Sequence, residues 1–259
     1  MSPAEHQHVT FGFEDFWPAA REQYERQFDA IADLMGLGNE MLQAAENKAA
    51  ERVQKVIYEL TRATVAGASD VILLCGNGCG PGAMKIVRGV YESRWMAEYL
   101  RRNPKEVEDY INFGPVQRWR TYQWLRDNIP DQVKHSSPEA VKNIEDEYNE
   151  VKAQFTNSKG RERFLWSTKS IGKMAEEIGC GKEFRLPYSM ACSIHHANAE
   201  GLLAAARVTP PSLEWVGAAL VTAHTNLWFV LSTLNDSCNL GFSDKLTAAQ
   251  ESHSRVWKE

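Results

Sequence analysis

The sequence predicts an all-α protein, a multi-helix bundle of roughly eight to ten helices, on three observations. Apolar residues recur at helical spacing over most of the chain. No stretch alternates apolar and polar residues as a half-buried strand would. The composition is that of a globular chain: 259 residues, 43% hydrophobic and 24% charged, with ten Phe, eight Tyr and eight Trp to fill a core. We read residues 1–259 as one all-helical domain.

The elements follow in order. Phe13, Trp17, Ala20, Tyr24, Phe28 and Ile31 make one face of a helix to Met35. Gly36 and Gly38 are expected to end it, and Asn39 to cap a second helix over 40–66. Asp70 to Cys75 reads as strand or helix, and Gly76-Asn-Gly-Cys-Gly-Pro-Gly82 as irregular. A helix from Ala83 carries Met84, Val87, Val90, Tyr91, Met96, Tyr99 and Leu100, and Asn103-Pro104 breaks it. Another runs over 105–126, kinked at Gly114-Pro115. Ser136, three before Glu139, starts a helix bearing Val141, Ile144, Tyr148, Val151 and Phe155. A polar loop over 156–163 leads to a short helix over 167–178, stopped by Gly179. One helix is expected within 183–206, with Pro187 in its first turn. After Pro210-Pro211, Ser212 caps a buried helix to Leu234, and 246–257 is a terminal amphipathic piece.

Charge and cysteines narrow the function classes. The net charge of −5 gives no general attraction to phosphate backbones, so nucleic-acid binding would need a local basic patch. Such a cluster is Lys159, Arg161, Arg163, Lys169 and Lys173, which reads as a solvated loop. Five cysteines without a C-x-x-C pair suit free thiols in a reducing compartment. The first residues lack a basic flank followed by an apolar run, so no signal peptide is expected. The apolar run from Ala218 to Leu234 holds His224 and Asn226 and reads as a core helix, not a membrane span. A cytoplasmic protein is expected.

Several local patterns bear on chemistry. Gly78-Cys-Gly80-Pro-Gly-Ala83 imitates a dinucleotide-binding turn, in which glycines let the backbone approach a pyrophosphate. A second strand is missing, so a tight helix–helix turn is expected. Arg88 and Glu92, four apart, share a helix face beside Tyr91 and Trp95. If partly buried, they call for a polar network. In the predicted helix over 183–206, Cys192, His196 and Glu200 fall on one face and His195 and Ala199 on another. His196 and Glu200 with His224 would offer three metal ligands only if two helices face each other, and no metal is assigned. His224 reads as a core histidine. No G-x-S-x-G, H-E-x-x-H or catalytic cysteine signature is present.

Arg88-x-x-x-Glu92, Asn103-Pro104, Tyr110, Trp166-x-x-x-Ser170, and Tyr188 followed by Ser193-x-x-His196 resemble a bacterial all-helical family catalogued only as a domain of unknown function. The resemblance covers about residues 55–206. The family's histidine is typically followed by a Pro-Ser-like turn. Here Ala197-Asn198 follows and an extra His195 precedes. The resemblance implies a helical fold and no established activity. It implies that Arg88, Glu92, Trp166 and His196 converge on one site, with Ser170 and Tyr110 as further ligand contacts.

The function expected is binding of a small anionic or nucleotide-like ligand in an interhelical pocket. Arg88 would clamp the anion, Glu92 orient it, and His196 be the proton-active member. An RNase-like toxin or defence effector using His196 and Arg88 is the enzyme alternative. The Arg-x4–6-His spacing of such nucleases is missing, since Arg185 precedes His195 by ten. A scaffold without chemistry is the third reading. The partners expected are the small anionic ligand and a second copy of the chain, with nucleic acid as an alternative and no membrane. No cofactor is assigned.

Overall fold

A computed structural model describes residues 13, 15–196 and 198–256. Trp257, the expected end of the last helix, lies outside them. Among the described residues there is no strand, only isolated bridges between Cys79 and Ser212 and between Thr156 and Glu162. In chain order the helices are α1 (Phe16–Ala45), α2 (Arg52–Gly76), α3 (Gly80–Arg102), α4 (Val107–Asn128), α5 (Pro130–Val133), α6 (Pro138–Val151), α7 (Ile171–Glu177), α8 (Gly181–Glu183), α9 (Ser189–His195), α10 (Ala199–Ala206), α11 (Val216–Cys238) and α12 (Ser243–Val256). Single turns at Pro104–Glu106 and Lys152–Phe155 are 3₁₀, and one at Phe184–Tyr188 is a π turn. The chain divides into two compact units: Met1–Arg102 with Ile171–Glu259, and Asn103–Ser170.

In the first unit, α1 continues through Gly36 and Gly38 instead of ending there. A Cβ at position 38 would sit 3.2 Å from Val65 and 3.4 Å from Leu231. That glycine therefore serves close packing of α1 on α2 and α11, not termination. The break comes later: Glu51 and Gln54 form a capping box that starts α2, with the Glu51 backbone N–H donating to Gln54 Oε1 at 3.0 Å. The ambiguous Asp70–Cys75 stretch is helical and belongs to α2.

The glycine-rich segment is the turn from α2 to α3. Gly78 has a φ of +65°. A Cβ at Gly80 would lie 2.1 Å from the Glu214 carbonyl oxygen, so the chain entering α11 occupies the space over this turn. The long, apolar α11 then packs on α1, α2 and α3. It buries Leu220, Leu227, Val230, Leu231 and Leu234. It is capped by Trp215, in the left-handed region, rather than by Ser212. The Trp228 indole N–H donates to the Leu246 carbonyl at 2.8 Å and ties α12 to α11.

The helix expected over 183–206 passes through a π turn and is broken once, after His195. Pro187 lacks the backbone donor a regular turn would use, and it sits in the π turn between α8 and α9. α9 then stops at His195. Asn198 caps α10 by accepting from the Gly201 N–H at 2.8 Å.

The second unit is built on α4 and α6. Phe113, Val116, Val151 and Phe155 form its core, with Tyr148 and Trp166 packed against it. α4 runs unbroken past Pro115, and α6 is capped by Ser137, one residue after the expected Ser136. Arg120 donates to Glu162 at 2.7 Å and also to the Arg163 and Phe164 carbonyls, pinning the polar loop. The loop cations are matched by acids: Arg163 lies 3.9 Å from Asp109, and Lys169 3.6 Å from Glu106.

Candidate functional site

The candidate site of the first unit is laid out along α3. Arg88 and Glu92 pair at 2.8 Å, each only partly exposed. The π turn returns the Tyr188 side chain to this pair, and its hydroxyl donates to Glu92 Oε1. Tyr188 is held by aromatic packing, with ring centroids 4.8 Å from Trp95, 5.3 Å from Phe184 and 6.0 Å from Tyr91. Burial, then the hydrogen bonds to Glu92 and Cys192, push the Tyr188 phenol far above its ordinary range. It therefore stays a donor at any physiological pH. Burial works against the Arg88 charge, but hydrogen bonding to Cys192 and the Glu92 carboxylate outweigh it and raise its pKa. Arg88 Nε is buried without a partner.

Beside this pair, α2, α3 and α9 border an open hollow of about 320 Å³. Lys85, Arg88, Ser93 and His195 supply its polar lining, and no carboxylate is among the lining residues. Gly67 sets the floor. A Cβ there would come within 2.8 Å of Val90, so the glycine lets α2 and α3 close up. Gly89 also lines the hollow, and a Cβ added to it would meet nothing within 4 Å.

The structure thus joins Arg88 and Glu92 and adds Tyr188, Cys192 and His195. His196, the expected proton-active residue, is exposed and follows the last residue of α9. The histidine lining the hollow is its neighbour, His195. The two imidazoles lie 4.9 Å apart at 89°. The expected shared face of His196 and Glu200 is overturned: the helix ends between them, and Glu200 lines a different hollow with Arg185 and Trp215. His224 stacks on His253 at 4.0 Å, so it does not stand with His196 and Glu200. Among the described residues no three His, Cys, Asp or Glu side chains gather as a metal site would need. Tyr110, Trp166 and Ser170 belong to the second unit. There Tyr110 and Trp166 meet edge to face at 5.4 Å.

Sequence reasoning passed over a second cluster on α3. Arg94 is 4% exposed. It donates to Glu183 at 2.5 and 3.3 Å, to Asn226 at 3.1 Å and to Cys180 at 3.4 Å, and its guanidinium lies 3.9 Å from the Phe229 ring centroid. A buried guanidinium needs this saturation, because an unpaired one costs several kcal/mol. Burial raises the Cys180 pKa and the Arg94 charge only partly opposes it, so the sulfur stays a thiol. The signal was present: Arg94 falls four after Val90 on the apolar face of α3, where a cation is out of place.

Fold and site together define an all-α helical bundle with charged and aromatic clusters set between its helices. The chain belongs to a family of unknown function, DUF5677, whose sequence model matches residues 54–208. That span runs from the start of α2 to just beyond α10 and contains Arg88, Glu92, Arg94, Tyr188 and both tandem histidines. Searches of the curated proteins and of the solved structures return no match. No helix among the described residues is long and apolar enough to cross a membrane.

Proposed function

We propose that the protein binds a small anionic, phosphate-bearing ligand in the hollow beside Arg88. One observation carries this reading: Lys85, Arg88, Ser93 and His195 line the hollow without a carboxylate among them. Arg88 is already oriented by Glu92, whose Oε1 also accepts from the Tyr188 hydroxyl. Such preorganisation reduces the ordering cost of binding. In this arrangement Lys85 and Arg88 hold the anion, Ser93 offers a hydroxyl, and His195 is the proton-active group. Inorganic phosphate and a nucleoside monophosphate are suitable probes in calorimetry. Saturable binding that weakens with salt and disappears in Gly89→Leu supports the reading. Heats that do not saturate with either probe overturn it.

A nuclease reading is favoured by a separate observation, the exposed His195 imidazole at the edge of a cationic hollow with the exposed His196 imidazole 4.9 Å from it. An acid and a base are what phosphodiester cleavage within RNA asks for. It predicts cleavage of single-stranded RNA that is lost in both His195→Ala and His196→Ala. Intact RNA with the wild-type chain removes it.

A further inference from the structure

A larger cavity, about 370 Å³, lies on another face of α3, between it and α11, and residues 178–183 close one end. Its walls are two facing stripes at helical spacing. Arg94, Glu98, Arg101 and Arg102 come from α3, and Phe229, Ser232, Thr233 and Asp236 from α11. Arg94 reaches Asn226 at 3.1 Å, and Thr233 donates to Glu98 at 3.3 Å, so the two helices run the same way along the groove. The wall residues on α11 lie beyond the family-matched span.

The two ends differ in what they have left to offer. At the inner end Arg94 is spent on Glu183, Asn226 and Cys180 and covers one face of the Phe229 ring, so it acts as a wall, while Phe229, 38% exposed, still lines the cavity. At the outer end a single carboxylate serves two guanidiniums. Glu98 takes Arg101 through both oxygens, at 2.7 and 2.9 Å, and Arg102 through Nε at 2.5 Å. That leaves the paired amino groups of Arg102 pointing at no described acceptor. Asp236 is exposed, and its only described hydrogen bond is from Asn235 Nδ2 at 3.5 Å. The rim therefore carries one cationic fork without a described acceptor and one carboxylate that only the nearby Arg101 charge shares, with an aromatic surface behind them.

We propose that this cavity is a second binding site, for a small zwitterion: an α-amino acid with an apolar or aromatic side chain. Arg102 takes the ligand carboxylate side by side, as guanidinium forks do. Asp236 takes the ammonium, and the side chain lies on Phe229 and Trp228. A ligand that is only anionic meets Glu98, Glu183 and Asp236 on the wall, and one that is only cationic meets Arg94, Arg101 and Arg102. Only a molecule carrying both charges leaves neither rim group opposed. The volume lies at the small end of ligand pockets, which suits one amino acid.

Calorimetry on the full chain with L-phenylalanine, 3-phenylpropionate and phenethylamine tests this. The structure predicts saturable binding of L-phenylalanine and at least about tenfold weaker binding of the two singly charged analogues. Arg102→Gln and Asp236→Asn, both at exposed positions, should each weaken L-phenylalanine by about tenfold with an unchanged melting temperature. Gly89→Leu should leave it intact, which separates this site from the phosphate hollow. Equal binding of either analogue, or no saturation with L-phenylalanine, overturns the proposal.

Discussion

Two charged clusters on one helix, six residues apart, have opposite characters. Arg88 is about one-quarter exposed, pairs within its own helix and borders an open hollow. Arg94 is buried and draws its partners from 180–183 and from α11. The first arrangement costs little to break and leaves donors for a ligand. The second is an organising contact of the fold, because it crosslinks three parts of the chain around a desolvated charge. The same side chain thus keeps an unpartnered donor beside an open hollow in one place and is saturated by the fold in the other, and exposure decides which.

The largest expected effect probes the buried cluster. Arg94→Met leaves Glu183 beside a desolvated wall and should cost about 3 kcal/mol in urea unfolding. Adding Glu183→Gln should recover part of that. A single variant as stable as the wild type would make the two clusters equivalent.

A third buried group sharpens the contrast by lacking partners. His224 is 3% exposed, neither of its ring nitrogens is hydrogen-bonded, and it stacks on His253. Burial, and then the His253 charge, lower its pKa to about 3. The unfolded chain binds this proton near pH 6.5 and the folded chain resists it, so stability falls as the pH drops below about 6.5. Between pH 7.5 and pH 5 the loss should be roughly 2 kcal/mol, and His224→Leu should flatten that part of the profile.

Smaller effects are expected at the open cluster. Tyr188→Phe removes the donor to Glu92 and should cost about 1 kcal/mol. Gly89→Leu should abolish phosphate binding while raising stability by up to about 1 kcal/mol, since it replaces a glycine inside a helix where space is open. A destabilised Gly89→Leu protein would mean that the hollow is not open.

The helices were legible where a single apolar stripe decides the matter, as in α3, α6 and α11. Breaks marked by proline or a left-handed glycine were legible too, at Asn103-Pro104 and Gly179, but others were not. Gly36 and Gly38 look like terminators, yet Gly38 is used for contact with Val65 and Leu231, residues remote in sequence. The end of α9 was hidden because Ala199–Ala206 is itself helical and continues the pattern. The two helices are separated by the local Asn198 cap, and Gly201 lets α10 fold back on α9, since a Cβ there would sit 2.0 Å from the Ser193 carbonyl oxygen. At the site, Arg88 and Glu92 could be read from their four-residue spacing. Which histidine lines the hollow depends on where α9 stops, and the choice passed from His196 to His195. The partners of Arg94 lie 89 and 132 residues away, beyond the reach of any local pattern.

An anion held in the hollow between Lys85, Arg88, Ser93 and His195 should be felt first by His195. The most direct measurement is an NMR titration of the His195 imidazole with inorganic phosphate, in the wild type and in Gly89→Leu. Anion binding in the hollow predicts a saturable shift of His195 in the wild type, with little response from His224. It predicts no shift of His195 in Gly89→Leu, where the added side chain fills the hollow. An unmoved His195 in the wild type, or the same shift in both proteins, would contradict it.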